Sequence, residues 1–143
     1  MNAMQEVVVD ASVIVKWFVE EENSDKAIKV RDRYIVGEIR IIAPEILQFE
    51  VINALYHKRL FSKDELKEIS EALDAFSFDL YSLRGEYAKK AIEASVENNI
   101  TVYDAAYISL AMVKNTIVYT ADEQLIKRLK QEYFGYVNDI KKI

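Results

Sequence analysis

The feature that most restricts the fold of this chain is an alternation of short apolar runs with longer segments of helical periodicity. The short runs are rich in β-branched residues and cover residues 6–10, 40–43, 78–83 and 116–119, with a last one near residues 136–137. Apolar residues at helical spacing mark residues 13–20, 24–34, 45–60, 62–76, 85–98, 103–114 and 122–132. Strands of this kind that alternate with helices are typical of a buried parallel sheet. The sequence therefore predicts an α/β sandwich.

The length and composition predict one compact unit. The chain has 143 residues, of which 51% are hydrophobic, which is enough for one ordinary domain with a sizeable core. Three glycines and one proline leave no flexible linker, and no repeat is evident. We expect residues 1–143 to form a single domain.

Local signals mark several helix starts. Pro44 suits the first turn of its helix, where an N–H group is not needed. Ser62 with Glu65, and Thr101 with Asp104, have the three-residue spacing of a capping box. These signals support the existence of the helices more than their end points.

The composition excludes several kinds of site. The chain has no cysteine, which rules out disulfides, thiolate metal sites and a cysteine nucleophile. Its one histidine, His57, excludes histidine-rich zinc sites and disfavours a Ser-His-Asp triad. Any metal must therefore bind oxygen. The net charge of −5 also argues that contact with a polyanion needs help from cations.

The sequence lacks the marks of a membrane or secreted protein. No apolar run approaches the roughly 20 residues that span a bilayer. The N-terminus has no basic segment followed by an apolar signal region. We expect no membrane association and a cytoplasmic location.

Four acidic residues lie in segments that a parallel sheet brings together near the carboxyl ends of its strands. Asp10 ends the first strand, and Asp122 closely follows the fourth. Asp104 opens a helix, whereas Glu50 lies inside the helix predicted over residues 45–60. Ligands of parallel sheets bind beyond the carboxyl ends of the strands. The fold could therefore bring these four acids to one rim.

Each acid also has a purely structural interpretation. Asp10 could cap a turn, and Glu50 could form a buried salt bridge. Asp104 after Thr101 fits a capping box, and Asp122 could cap the last long helix. Position alone does not decide between capping and chemistry.

Some aromatic and basic residues are candidates for contact with nucleic acid. Trp17, Phe18, Tyr103 and Tyr107 could stack on a base, although aromatic residues at such positions more often belong to the core or to an interface. The basic residues that could touch a phosphate backbone are Lys16, Lys58, Arg59, Lys114, Lys127 and Arg128. Scattered cations on helices are usually solvated surface residues.

Four stretches of the chain carry a family resemblance. They are VVVDASVIVKWF, PEILQFEVINAL, VYDAAYISLA and VYTADEQL, which together span residues 7–125. In order and spacing they resemble the successive motifs of the PIN domain family, especially its VapC-type toxin ribonucleases. Each motif alone is weak, but the conjunction is specific.

The resemblance implies a site and a biological setting. The residues that match the family's acidic quartet are Asp10, Glu50, Asp104 and Asp122, and those that match its supporting polar positions are Ser12, Asn53 and Thr120. The resemblance further implies a three-layer α/β/α sandwich with a mainly parallel central sheet, dependence on Mg²⁺ or Mn²⁺, frequent homodimers and neutralisation by an antitoxin protein.

The chemistry of the residues suits this implication. Crowded carboxylates raise one another's pKa unless a cation neutralises them. Mg²⁺ prefers oxygen ligands and typically uses one or two carboxylates. The hypothesis is an endoribonuclease of a type II toxin–antitoxin pair. In it, Asp10 and Asp104 bind the main ion, while Glu50 and Asp122 act through water or hold a second ion.

Three other interpretations stay open. A haloacid-dehalogenase-like, magnesium-dependent phosphatase needs a second Asp two residues after the first, where this chain has Ser12. A receiver-like signalling domain needs adjacent acids at the first strand and a phosphoacceptor Asp after the third, and neither is evident. A catalytically silent PIN-like module that only binds protein is disfavoured by the complete quartet.

Overall fold

The computed structural model describes residues 4–143, which contain one five-stranded sheet. The strands are β1 (Gln5–Val9), β2 (Ile39–Pro44), β3 (Asp79–Tyr81), β4 (Val118–Thr120) and β5 (Val137–Asp139). They lie in the order β3-β2-β1-β4-β5, and every neighbouring pair is parallel. The predicted α/β class with a parallel central sheet is confirmed.

Helices occupy most of the chain between the strands. They are α1 (Ala11–Val15), α2 (Ser24–Ile35), α3 (Leu47–His57), α4 (Lys63–Phe76), α5 (Gly85–Asn98), α6 (Val102–Val113) and α7 (Glu123–Arg128), with 3₁₀ turns at Gln131–Tyr136 and Ile140–Lys142. Among the described helices, none combines the length and the apolar character needed to cross a bilayer.

The central strand β1 is covered on both faces. Val7, Val8 and Val9 are each 0% exposed. Because successive side chains of a strand point to opposite faces, this burial requires packed helices above and below the sheet. The predicted α/β/α layering follows from it.

Three predicted helices are shorter than their periodicity suggested, and one of them, predicted over residues 45–60, covers only Leu47–His57. The predicted helix over residues 13–20 ends at Val15 and continues only as tight turns, since the Trp17 indole N–H donates to the Ala27 carbonyl oxygen at 2.8 Å. The predicted helix over residues 122–132 ends at Arg128, because the amide of Lys130 donates to the Asn98 side chain at 2.8 Å. Both ends are set by partners distant in sequence.

The position predicted for Pro44 was wrong, whereas the Ser62 cap is confirmed. Pro44 is the last residue of β2, opposite Tyr81, and α3 begins only at Leu47. Proline fits there because the pairing of β2 with β1 ends at Ile42 and the amide of Glu45, not that of residue 44, donates to the Tyr81 carbonyl oxygen. Ser62 and Glu65 form the reciprocal capping box at the start of α4, with bonds of 3.1 and 2.8 Å.

The capping box yields a stability prediction. We expect Ser62→Ala to lower the free energy of unfolding by about 1 kcal/mol, because the Glu65 amide loses its acceptor. Ser62→Asp, which keeps an acceptor oxygen, should stay close to the wild type. Chemical denaturation followed by circular dichroism measures both variants, and equal losses in the two would contradict the capping role.

Candidate active site

Asp10 lies at the carboxyl end of β1, where β4 ends beside it. The side chain is 7% exposed and stands at the start of α1. Its Oδ2 accepts hydrogen bonds from the Ser12 and Thr120 hydroxyl groups, both at 2.8 Å. These hydroxyls are held in turn, since they accept the amides of Ala121 and Asp122 at 3.0 and 3.1 Å. The β1–β4 pairing thus builds a polar pocket around one carboxylate.

The environment of Asp10 disfavours its charged form. Burial raises the pKa of Asp10 from its ordinary value of 3.8 to about 6, against the lowering effect of the two hydroxyl groups. The negative charges of Asp104 and Glu50 raise this pKa further. A cation near Asp10 would relieve both effects.

Glu50 lies on α3 and is partly buried. Its Oε1 accepts the hydroxyl of Tyr107, a residue of α6, at 2.6 Å. Burial raises the pKa of Glu50, the Tyr107 bond lowers it and the charge of Asp104 raises it. Tyr107 is 1% exposed, so its ring holds the hydroxyl in place.

Asp104 and Asp122 complete the group. Asp104 stands in the first turn of α6, where its amide donates to the Thr101 hydroxyl at 3.0 Å. Its pKa is raised by burial and then by the charge of Asp122, and it is lowered by Thr101 and by the cation of Arg128. Asp122 caps α7, since its Oδ1 accepts the Leu125 amide at 3.0 Å.

Charge–charge interactions connect all four predicted acids into one group. Asp10 is affected by the charges of Glu50 and Asp104, and Asp104 by that of Asp122. Four separate segments of the chain therefore bring their acids to one rim of the sheet.

The polar positions behave differently from one another. Ser12 and Thr120 contact Asp10 directly. Asn53 is exposed and shares a cavity with Glu50, but within residues 4–143 it makes no hydrogen bond with the acids. Tyr107 supports Glu50 and was missed as a polar partner. Its spacing of three residues from Asp104, on the same face of one helix, was the available signal.

The carboxylate oxygens of the four acids suit a hard divalent cation, although they do not enclose one by themselves. Among residues 4–143, no three acidic or histidine side chains converge tightly enough to hold an ion by themselves. Mg²⁺ seldom needs such a cage, because it keeps several waters and takes one or two carboxylates together with substrate phosphate. Mutually repelling carboxylates that supply only oxygen match that requirement.

The raised pKa of Asp10 gives the apo protein a specific pH dependence. The folded chain binds this proton more tightly than the unfolded chain, so the free energy of unfolding should fall as the pH rises from about 4 to 6. In EDTA at pH 7.5, Asp10→Asn should therefore be more stable than wild type by about 2–3 kcal/mol, with little difference near pH 4.

Urea denaturation at the two pH values measures this difference. Asp74→Asn, at an exposed position on α4, serves as the matched control and should show no comparable gain. Equal stability of wild type and Asp10→Asn at pH 7.5 would contradict the raised pKa of Asp10.

Proteins of known sequence are similar to this chain over most of its length. A family model described as PIN domain matches residues 7–131. Ribonuclease VapC3 of Pyrobaculum aerophilum is 33% identical over 129 residues, which cover 85% of this chain and 93% of that protein. Ribonuclease VapC1 of Mycobacterium tuberculosis is 33% identical over 126 residues, which cover 85% and 90%.

Solved structures share the fold. A toxin–antitoxin complex from Klebsiella pneumoniae contains a chain that matches with a TM-score of 0.66 at 13% identity, over 94% of this chain and 97% of that one. A DNA-bound VapBC from Salmonella typhimurium matches with a TM-score of 0.66 at 14% identity, over 96% and 99%. Since the family model spans most of the residues and two relatives are a third identical over most of their length, this chain belongs to the PIN domain family.

Proposed function

We propose that this chain is a metal-dependent endoribonuclease that hydrolyses RNA phosphodiester bonds. The observation that carries the proposal is the gathering of four acids from separate segments at one rim, where burial and the charges of neighbouring acids raise the pKa of Asp10, Glu50 and Asp104. Family membership and the names of the Ribonuclease VapC relatives support RNA as the substrate.

The proposed roles follow from the contacts of each acid. Both hydroxyl bonds to Asp10 end on Oδ2, so Oδ1 would be the oxygen available to a cation, which Asp10 and Asp104 would hold together. Tyr107 holds Glu50 in one orientation at the flank of the site. Asp122 is held by the start of α7 at the opposite flank. A bound Mg²⁺ or Mn²⁺ would stabilise negative charge on the phosphate and lower the pKa of water.

The same cation explains how an acidic chain acts on an acidic polymer. The net charge of −5 opposes binding of RNA by the bare surface. A cation held by the carboxylates would replace this repulsion with attraction for phosphate at the site alone. Binding should therefore depend on divalent metal as much as cleavage does.

The proposal includes a partner. A solved structure of the same fold from Klebsiella pneumoniae is described as a toxin–antitoxin complex, and one from Salmonella typhimurium is described as VapBC bound to DNA. We propose that this chain is the toxin of a type II pair that a cognate antitoxin protein neutralises, and that it forms a homodimer.

A catalytically silent binding module is the second candidate, favoured by the open arrangement of the acids. It predicts that removal of the acids leaves binding of the partner intact and that pure protein cuts no RNA. The phosphatase and receiver interpretations lose support because the matching motifs belong to the PIN family.

Cleavage of a mixed RNA pool tests the activity. Pure protein with Mg²⁺ or Mn²⁺ should cut RNA, and EDTA should abolish the cleavage. Asp104→Asn should lower the rate by at least about 100-fold, because a charged cation ligand is lost. Asp74→Asn is the matched control on the surface, and circular dichroism checks the fold. Equal cleavage by wild type and Asp104→Asn would contradict the assigned site.

A variant without the Tyr107 hydroxyl tests whether its hydrogen bond to Glu50 stabilises the site. Tyr107→Phe removes only the hydroxyl, so we expect a normal fold and a 10- to 100-fold higher Mg²⁺ concentration for half-maximal cleavage. Tyr87→Phe, which removes another buried hydroxyl on the neighbouring helix α5, is the control. An unchanged Mg²⁺ requirement in Tyr107→Phe would show that Glu50 does not depend on this bond.

A further inference from the structure

Two exposed aromatic side chains border the acidic rim. Phe49 is 80% exposed and Tyr103 is 61% exposed, and each immediately precedes an acid of the quartet. By contrast, Trp17 and Tyr107, which could also have stacked on a base, are buried. Large aromatic faces in water at the edge of a site indicate a ligand that covers them.

Phe49 and Tyr103 line one open cavity of about 570 Å³ together with Ile46, Glu50 and Asn53. The volume lies within the range of ordinary ligand sites. Most of this lining is aromatic or aliphatic, while Asn53 offers an amide donor and acceptor and Glu50 offers a carboxylate. Through Glu50, the cavity borders the acidic site.

We propose that Phe49 and Tyr103 position the RNA by stacking on an unpaired base next to the phosphodiester bond that is cut. The inference rests on the proposed ribonuclease function and names the form of its substrate, a single strand with at least one unstacked base at this place. Phe49 and Tyr103 are positioning residues that act on the nucleotide beside the reacting bond.

The composition of the cavity favours a nucleotide over a peptide. An apolar peptide side chain on Phe49 would remove water from the Glu50 carboxylate without compensating its charge, which is costly. A nucleotide places its base on the ring and its phosphate, with cations, toward the acids. The Asn53 amide matches the donors and acceptors of a base edge.

Stacking also supplies affinity that the charge of the chain does not. With a net charge of −5, the protein gains little from contacts with phosphate far from the metal. Base–aromatic stacking does not depend on charge and tolerates any base. It therefore suits an acidic protein that binds a single strand.

Binding of RNA tests the proposal independently of cleavage. With Ca²⁺ in place of Mg²⁺, fluorescence anisotropy measures the affinity of full-length protein for a labelled single-stranded oligoribonucleotide. Phe49→Ala and Tyr103→Ala should each weaken binding about 10-fold. Phe49→Trp, which keeps an aromatic ring, should bind RNA like wild type. Phe134→Ala removes an exposed phenylalanine that lines a different cavity, and it should bind like wild type.

An abasic substrate makes the test specific to the base. In an oligoribonucleotide with a mapped cleavage site, loss of the adjacent base should lower kcat/KM for wild type about 10-fold and should have little further effect on Phe49→Ala. Additive losses, or alanine variants that bind and cut like wild type, would overturn the proposal. Alanine variants that keep RNA binding but lose self-association or a protein partner would also overturn it.

Failure of the proposed function is distinguishable from failure of this inference. If wild type does not cut RNA with any divalent metal, the ribonuclease assignment fails. The RNA affinities of wild type, Phe49→Ala and Phe49→Trp still decide whether a base stacks on the Phe49 ring.

Discussion

Burial of carboxylates that lie close to one another is the constraint on which the site depends. The folded chain holds four acids at one rim, and burial, with smaller contributions from the charges of Asp104 and Glu50, raises the pKa of Asp10 to about 6. A parallel sheet makes this possible, because the carboxyl ends of β1 and β4 lie side by side and both are buried. The packed core offsets the electrostatic cost, and a divalent cation would remove it.

The acids are held by partners that are distant in sequence. Asp10 depends on Thr120, and Glu50 depends on Tyr107. Each pair joins two parts of the chain that only the folded sheet and helix α6 bring together, so the orientation of these acids depends on the fold.

The sequence predicted the element types and strand positions because β-branched runs and helical periodicity are local signals. It failed where a distant partner decides. The ends of the first and last helices depend on Trp17 reaching Ala27 and on Asn98 reaching Lys130. The four acids were predicted from the family resemblance of their motifs. The spacing of Tyr107 from Asp104 indicated a shared helix face, but it did not indicate that the Tyr107 hydroxyl donates to Glu50, and nothing local indicated that Asn53 lacks a bond with the acids within residues 4–143.

Capping and site chemistry are compatible at the same residue. Asp122 caps α7 through Oδ1, and its charge still acts on Asp104. A helix N-terminus favours a nearby anion, so the cap itself reduces the repulsion within the group. At α6 the Thr101 hydroxyl accepts the Asp104 amide, and among the described residues the Thr101 backbone amide makes no reciprocal bond to the Asp104 carboxylate. The Asp104 carboxylate therefore does not cap the backbone, and its proximity to the other acids, which sequence position does not reveal, favours a role at the site.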